Sequence, residues 1–236
     1  MLRFLGIGAQ KAGTTWLYEQ LRRHPALSFP RDKEVHFWNF PHTADEVAAY
    51  LASFGGGGVV AGEITPAYAI LPVETIREIQ DQAPALRLIY LLRNPIERAW
   101  SAARMDCQRA GMAVAEAPAQ WFSDHFQAAA SRMRGDYATC LRQWLGVFPA
   151  EQLLVLRFEQ IQSEPEALLN RCFAHLGVPG RCPADLRAAG CRNRVFAGAD
   201  HPLPPALGAE LRALYAAPIR QLAIEFDLDL STWLTP

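Results

Sequence analysis

The chain has 236 residues, a formal net charge of -1 and an apolar fraction of 50%. These values exclude a disordered or collagen-like chain, and the charge balance gives no global reason to expect nucleic-acid binding. No apolar run approaches the ~20 residues of a membrane-spanning helix, so no membrane insertion is expected. The five cysteines lack a CxxC pair, and the amino terminus lacks a signal-peptide pattern. Both features favour a cytoplasmic protein with reduced, buried thiols.

Apolar strands alternate with helical segments along the chain. The sequence predicts buried strands over 4–8, 59–62, 86–92 and 153–158. It predicts helices from Thr14 to His24, from Pro95, from a Ser163–Glu166 capping box to Gly177, and from Ala206 with a break at Pro218. Strands that alternate with helices form parallel βαβ units. We therefore predict one α/β domain over residues 1–236, with a central, mostly parallel sheet flanked by helices in three layers.

A strand, a loop of small residues and a helix follow one another over residues 6–16, GIGAQKAGTTW. Backbone N–H groups at a helix start bind anions, Lys11 adds a positive charge, and Thr14 and Thr15 can donate to phosphate oxygens. Three interpretations remain open. A dinucleotide-binding turn lacks its third glycine, because Lys11 stands there. A nucleoside-triphosphate loop needs Gly-Lys before Ser or Thr, whereas Lys11 precedes Gly13. A plain turn with a solvated lysine needs no ligand.

The segment QKAGTTWL, residues 10–17, resembles the 5′-phosphosulfate loop of sulfotransferases that use 3′-phosphoadenosine 5′-phosphosulfate (PAPS). Further segments follow in the order found in the heparan-sulfate-type and bacterial carbohydrate-type members: KEVHFW at 33–38, GEITPAY at 62–68, LLRNP at 91–95 and RAWS at 98–101. Gly135-x-Tyr137 and residues 144–158 continue the pattern, so the resemblance covers most of the chain. It implies a P-loop-like fold and a PAPS-dependent enzyme.

The resemblance also implies which residues bind the donor. Lys11 and the loop-to-helix residues would hold the 5′-phosphate, and Lys11 would neutralise charge on the leaving oxygen. Arg93 and Ser101 would hold the 3′-phosphate. The predicted 5′-phosphate residues besides Lys11 are Ala12, Gly13, Thr14, Thr15 and Trp16. The family's later Lys-Gly-Arg loop is Ala-Gly-Ala here, at 197–199, and its anion contacts would come instead from Arg192, Asn193 and Arg194 just upstream. A solvated basic loop is the alternative.

Glu34 is the candidate general base, because an acceptor hydroxyl or amine loses a proton as it attacks sulfur. The family's catalytic glutamate occupies the matching place. His36 shares a face with Glu34 if the segment is extended, where it would orient the acceptor or share the proton. Without the resemblance, a solvated carboxylate paired with Lys33 or Arg31 is the simpler interpretation. No metal is expected, since the six histidines are scattered.

We therefore predict sulfuryl transfer from PAPS to a hydroxyl, or second in preference an amine, with adenosine 3′,5′-bisphosphate (PAP) as product. The acceptor would be sugar-containing or another small molecule, free or presented on a carrier. Ile64 replaces a lysine of the heparan-type acceptor site, which argues against a polyanionic acceptor. A small-molecule kinase is an alternative, with Glu63 as its Mg²⁺-binding acid. A nucleotide-binding module without catalysis is another, favoured by Ile64, Ala197 and Ala199.

Overall fold

The computed structural model describes residues 1–56, 58–193 and 201–234. Its strands are β1 Leu2–Gly8, β2 Leu27–Ser28, β3 Val60–Ile64, β4 Arg87–Leu92 and β5 Leu153–Arg157. Its helices are α1 Thr14–Leu21, α2 Ala44–Ala52, α3 Val73–Gln82, α4 Pro95–Arg109, α5 Ala119–Gln127, α6 Ala129–Gly135, α7 Tyr137–Leu145, α8 Gln160–Ser163, α9 Pro165–Leu176, α10 Pro183–Ala188 and α11 Pro205–Glu225. The chain divides into two compact units, Met1–Leu92 with Gln143–Phe196, and Arg93–Arg142 with Ala197–Pro236. The prediction of one domain over 1–236 stays a prediction.

The first unit contains a parallel sheet of five strands in the order β2-β3-β1-β4-β5. β1 lies in the middle, where Gly6 is opposite Ile64 of β3 and Ile89 of β4. Five consecutive residues are buried in both β1 and β4. Because successive side chains of a strand point to opposite faces, both faces of this sheet are covered. The predicted central parallel sheet flanked by helices is confirmed.

The four predicted strands are confirmed as β1, β3, β4 and β5. The two-residue edge strand β2 was not predicted, because it is too short to show an apolar period. β2 pairs with β3 through Leu27 opposite Val60 and Ser28 opposite Ala61. The predicted helix starts at Thr14 and Pro95 are also confirmed, the second with the side chain of Asn94 accepting from the first turn.

The predicted capping box of Ser163 and Glu166 is wrong. Ser163 ends α8, and α9 begins at Pro165 without a side-chain cap. The carboxylate of Glu166 instead receives two hydrogen bonds from the guanidinium of Arg192, at 2.9 and 3.0 Å. A bidentate arginine pair is stronger than a single bond from a capping backbone N–H, so the carboxylate pairs with Arg192 and does not complete a capping box.

The described residues of the second unit form α4, α5, α6, the first part of α7 and α11. α11 runs without interruption through Pro218, so the predicted break is wrong. Tyr215, Ile219 and Leu222 are all buried, and this apolar stripe continues across the proline. Tertiary burial of the stripe offsets the backbone hydrogen bond that proline cannot donate.

Four of the five cysteines are buried, as expected, but Cys182 is exposed. Its sulfur accepts a hydrogen bond from the N–H of Asp185 at 3.4 Å, so this thiol caps the start of α10. Among the helices that the structure describes, none combines the length and apolar composition needed to cross a lipid bilayer.

Candidate functional site

The loop after β1 owes its shape to glycine at its last position. Gly13 precedes α1 with φ 85°, a left-handed conformation that favours glycine. A Cβ atom there would lie 2.5 Å from Cδ1 of Ile161 and 3.0 Å from Cδ2 of Phe158. Lys11 has a positive φ of 67° as well. Two constraints therefore require glycine at position 13: the positive φ and the close approach of Ile161 and Phe158.

The amino-terminal end of α1 presents hydrogen-bond donors. The first backbone hydrogen bond inside the helix runs from the N–H of Leu17 to the carbonyl of Gly13, at 3.0 Å. The N–H groups of Thr14, Thr15 and Trp16 therefore have no acceptor within the helix. Such a helix end suits an anion, because the donors and the helix dipole act in the same direction. A phosphate group fits the donors that this loop and helix supply.

Side chains from α1 and from the residues just after it hold the turn that precedes Arg192. The indole N–H of Trp16 donates to the carbonyl of Cys191 at 2.9 Å, and the Arg23 guanidinium donates to the carbonyl of Ala189. Trp16 is 4% exposed, so its ring belongs to the core. If the helix start binds an anion as predicted, Trp16 would contribute its backbone N–H and not its ring.

The predicted basic segment begins with an arginine that already has a partner. Arg192 donates through Nε and Nη2 to both oxygens of Glu166, and this fork lowers the pKa of Glu166. The N–H of Asn193 donates to the carbonyl of Gly190 at 3.0 Å. Arg194 and residues 197–199 lie outside the described residues. Donor binding by Arg192, Asn193 and Arg194 stays a prediction, and for Arg192 it depends on the remaining nitrogen, Nη1.

Glu34 lies at the edge of the sheet from which the β1 loop emerges. Its N–H donates to the carbonyl of Ile64, the last residue of β3, at 3.0 Å. Ile64 is opposite Gly6 of β1, and the carboxyl ends of parallel strands meet at one edge. The Glu34 carboxylate is 45% exposed and pairs with the ammonium of Lys33. The structure thus brings Glu34 to the edge of the sheet that carries the loop between β1 and α1.

His36 approaches Glu34, but the segment is not extended as expected. Glu34 and His36 have φ values of 65° and 58°, both in the left-handed region. His36 Nε2 still lies 3.7 Å from Glu34 Oε2, and its Nδ1 lies 3.0 Å from Oδ1 of Asn39. The two side chains therefore meet because the backbone turns between them.

Sequence reasoning did not identify the buried network around Glu63. Glu63 is 1% exposed, and its carboxylate accepts from Tyr50 at 2.5 Å, Thr65 at 2.8 Å and Tyr68 at 2.9 Å. Burial raises the pKa of Glu63, and these hydroxyl donors oppose the rise. Thr65 and Tyr68 stand in the GEITPAY stretch, so their spacing from Glu63 was the available signal. Tyr50 comes from α2 and gave none.

Two further observations bear on the alternative of a Mg²⁺-dependent kinase. Both Glu63 oxygens are engaged by hydroxyl groups, which does not suit the Mg²⁺ ligand that a kinase would need. Within the described parts of the chain, no three His, Cys, Asp or Glu side chains form a group that could hold a metal ion.

Ile64 is fully buried and packs over Gly6, where a Cβ would lie 2.7 Å from Ile64 Cγ1. The position of the family lysine is therefore part of the core here.

An open pocket of about 460 Å³ lies beside Glu34. The pocket is lined by Tyr18, Phe29, Pro30, Arg31, Asp32, Lys33, Glu34 and Val35. The rings of Tyr18 and Phe29 meet edge to face, with centroids 4.9 Å apart. The pocket thus combines aromatic surface with charged groups, which suits a small polar molecule that has a hydrophobic face.

In the second unit, Arg93 lies just before helix α4 and Ser101 lies near its middle. Arg93 precedes α4, and its Nε and Nη2 lie 3.3 and 3.1 Å from an oxygen of Glu97. The hydroxyl of Tyr137 donates to the carbonyl of Arg93 at 2.8 Å. Ser101 is partly exposed on α4. The Gly135-x-Tyr137 stretch therefore holds the backbone of the predicted 3′-phosphate arginine.

A parallel sheet in the order 2-3-1-4-5, with a glycine-containing loop that leads from its central strand into a helix, defines an α/β protein of the P-loop-like class. Within this class, the family model described as "Sulfotransferase domain" matches residues 3–187. The chain belongs to the sulfotransferase family, and the resemblance seen in the sequence is confirmed.

Curated relatives include two heparan sulfate enzymes. Mouse heparan sulfate glucosamine 3-O-sulfotransferase 6 is 31% identical over 178 residues, which cover 73% of this chain and 51% of that protein. Mouse bifunctional heparan sulfate N-deacetylase/N-sulfotransferase 4 is 25% identical over 193 residues, which cover 75% of this chain and 22% of that protein. The chain thus spans about half, or less, of the length of these relatives.

Solved structures agree on the fold. The sulfotransferase from Alicyclobacillus acidocaldarius is 28% identical with a TM-score of 0.77, covering 100% of this chain and 99% of that one. Mouse sulfotransferase SULT7A1 complexed with PAP has a TM-score of 0.64 at 14% identity, covering 94% and 85%. At that identity the second similarity shows the fold alone. Together they confirm the P-loop-like fold.

Proposed function

We propose that this chain moves a sulfuryl group from PAPS to a hydroxyl, or second in preference an amine, of a small acceptor. The observation that carries the proposal is the position of Glu34 relative to the sheet. Its N–H binds the end of β3, so the carboxylate stands at the edge where the β1 loop and Lys11 emerge. Family membership and the neighbour complexed with PAP support the choice of donor.

Lys11 and the start of α1 would bind the 5′ end of the donor. The N–H groups of Thr14, Thr15 and Trp16 would donate to phosphate oxygens, and the Lys11 ammonium would neutralise the charge that develops on the leaving oxygen. When bound, PAPS supplies an activated sulfuryl group with PAP as its leaving group. Electrostatic positioning of this kind is the main contribution of protein groups in the related phosphoryl transfer.

Arg93 and Ser101 would bind the 3′-phosphate, one through the planar guanidinium and the other through its hydroxyl. Within the second unit, the carbonyl of Arg93 is held by Tyr137 and its guanidinium by Glu97. In this proposal, hydrogen bonds from the Arg93 guanidinium to the phosphate replace part of its hydrogen bonding to Glu97. Helix α4, which begins at Pro95, adds its positive end.

Glu34 would act as general base and His36 would orient the acceptor. As the acceptor oxygen forms its bond to sulfur, its proton passes to a carboxylate oxygen of Glu34. The bond between sulfur and the bridging oxygen breaks, and that oxygen leaves with the electron pair on PAP. His36 Nε2 is 3.7 Å from Glu34 Oε2. The two side chains are therefore close enough to form hydrogen bonds with the same substrate molecule.

The pocket beside Glu34 is the proposed acceptor site. Its Tyr18 and Phe29 rings suit the apolar face of a sugar or another small ring, free or attached to a carrier. Ile64 is buried, so no cation stands at the position of the family lysine to attract a polyanion. The odd number of cysteines without a CxxC pair supports a cytoplasmic location.

Thermal unfolding with PAP, and separately with ATP and Mg²⁺, tests the proposal against the kinase alternative. A ligand at 100 times its dissociation constant stabilises the folded state by about 2.7 kcal/mol. We expect PAP to raise the melting temperature and ATP with Mg²⁺ to have little effect. Stabilisation by ATP with Mg²⁺ but not by PAP would contradict the proposal. Stabilisation by PAP without transfer of sulfate to any acceptor would favour a binding module.

A further inference from the structure

The segment that carries Glu34 has a backbone conformation that its own residues do not favour. Glu34 and His36 both have positive φ values, and neither is glycine. Non-glycine residues stay in the left-handed region only where the surrounding structure over-determines them, and they concentrate at functional sites. Something outside the segment must therefore hold it.

The holding contacts come from the end of β3. The N–H of Glu34 donates to the carbonyl of Ile64 at 3.0 Å, and the N–H of His36 donates to Oγ1 of Thr65 at 3.5 Å. Both residues with positive φ are thus bound to the end of one strand. The acceptor for His36 is a side-chain hydroxyl, so the segment depends on the identity of Thr65.

Glu63 connects these contacts to the core. Its carboxylate accepts from the Thr65 hydroxyl, which is the same group that receives the His36 N–H. It also accepts from Tyr50 and Tyr68, and the Tyr68 oxygen lies 3.4 Å from the N–H of Trp38, just beyond the segment. Because Glu63 is 1% exposed, this arrangement excludes water. A dry, fully engaged network of this kind fixes the backbone around it.

We propose that Glu63 is a positioning residue for sulfuryl transfer: through the Thr65 hydroxyl it holds the strained backbone that aims the Glu34 carboxylate. Glu63 itself touches neither donor nor acceptor. The inference rests on the proposed function, in which Glu34 is the base. It differs from a role in stability alone, because it ties a buried carboxylate to the geometry of one exposed side chain.

The test uses Glu63→Gln and Thr65→Val in the full chain. Glu63→Gln keeps the volume but replaces one acceptor oxygen with a donor, and Thr65→Val removes only the hydroxyl that joins Glu63 to the His36 N–H. Ile79→Val is the control, because Ile79 is a fully buried residue of α3 in the same unit. Amide hydrogen exchange of residues 34–38, PAP affinity, kcat and KM are measured for each.

We expect exchange at residues 34–38 to accelerate about tenfold or more in both variants, while amides in β1 and β4 keep their protection. PAP affinity should stay within about twofold of wild type, and kcat should fall about 10²-fold, the cost of a misplaced catalytic group. Ile79→Val should change neither exchange at 34–38 nor kcat. If Glu63→Gln fails to fold, Thr65→Val and Tyr68→Phe carry the same test.

Unchanged exchange at residues 34–38 would overturn the proposal whatever the activity. Faster exchange with an unchanged kcat would also overturn it, because the segment would then be held without effect on the reaction. A wild-type protein that transfers no sulfate from PAPS would instead contradict the proposed function. Hydrogen exchange would still decide in that case whether Glu63 holds the Glu34 backbone.

Discussion

Lys11 and Glu34 divide the chemistry of the proposed reaction between a leaving group and a nucleophile. Lys11 is a cation in a loop with positive φ, and Glu34 is a half-exposed carboxylate next to Lys33 and His36. Both emerge at one edge of the sheet, but in the proposed reaction they would act on opposite sides of the transferred group. Substitutions at the two positions should therefore produce different kinetic effects.

Lys11→Ala should weaken both PAP binding and turnover. The change removes a charge-assisted contact worth about 1.5–3 kcal/mol, which corresponds to a loss of roughly 10–100-fold. Titration calorimetry with PAP and initial rates of transfer measure the two effects. Arg22→Ala is the control, since Arg22 is a cation at the other end of α1 that pairs with Glu19. Turnover within about twofold of wild type, near 0.4 kcal/mol, would show that the loop assignment is wrong.

Glu34→Gln should retain PAP affinity while transfer falls by about 10²–10⁴-fold, the usual contribution of general-base catalysis. Glutamine keeps the size and hydrogen-bonding shape of the side chain but cannot take a proton. The pH–rate profile of the wild type should rise on its acid side, and this limb should disappear in the variant. Asp81→Asn, an exposed carboxylate of α3, is the control. An unchanged acid limb would place the base elsewhere.

At the scale of elements, the β1–loop–α1 unit needs glycine at its last loop position. Gly13→Ala should cost about 1–2 kcal/mol for the left-handed backbone and about 1–3 kcal/mol more for the contact with Ile161. Gly177 is the matched control: its φ is 70°, and nothing lies within 4 Å of an added Cβ. Gly177→Ala should therefore show the backbone cost alone. Urea unfolding measures the free energy of unfolding of both variants. Equal decreases in this free energy would mean that Ile161 does not constrain the loop.

The pair of Glu166 and Arg192 should make stability depend on acid pH. Arg192 holds the pKa of Glu166 below its ordinary 4.5, so the carboxylate binds its proton less readily when folded. The stabilisation is then present above pH 4.5 and is lost as pH falls through the folded-state pKa. The difference in free energy of unfolding between wild type and Arg192→Gln should be constant near neutral pH and shrink in acid. A difference that persists unchanged in strong acid would contradict this role.

Elements with a continuous local pattern were predictable, and those set by distant partners were not. β4 was predicted from its nearly continuous apolar run, and α1 from the glycine and lysine before it and the two threonines of its first turn. The predicted capping box was wrong because Arg192, from another part of the chain, forms hydrogen bonds with Glu166. The predicted break at Pro218 was wrong because buried residues on both sides of the proline keep α11 continuous. In both cases tertiary contacts override a valid local rule.

At the scale of the whole molecule, selectivity among adenosine nucleotides should depend on α4 of the second unit. Arg93→Ala should abolish the preference for PAP over adenosine 5′-phosphate, because the guanidinium would bind the 3′-phosphate that only PAP carries. Ser101→Ala should act in the same direction with a smaller effect. Arg109→Ala, at the exposed end of the same helix, is the control. Equal losses of affinity for both nucleotides would mean that Arg93 has a structural role only.

The sequence supplied the candidate residues, whose roles stay predictions, but it did not supply their local geometry. The resemblance placed Glu34, Lys11 and Arg93 on the chain, since each lies within a short ordered motif. The positive φ values at Glu34 and His36 were not predictable, because such residues favour extended or helical backbone by themselves. The partners of Glu63 were missed for a related reason: Tyr50 reaches it from α2 only after the chain has folded.

The most direct test of the account is transfer of label from sulfur-labelled PAPS by the full chain to a pool of small hydroxyl and amine acceptors. PAP formation is followed in parallel, and Glu34→Gln is the matched variant. The account predicts that label appears on an acceptor in proportion to PAP formed, and that Glu34→Gln forms labelled product at least about 10²-fold more slowly. Equal transfer by wild type and Glu34→Gln, or PAP binding with no transfer across the pool, would contradict it.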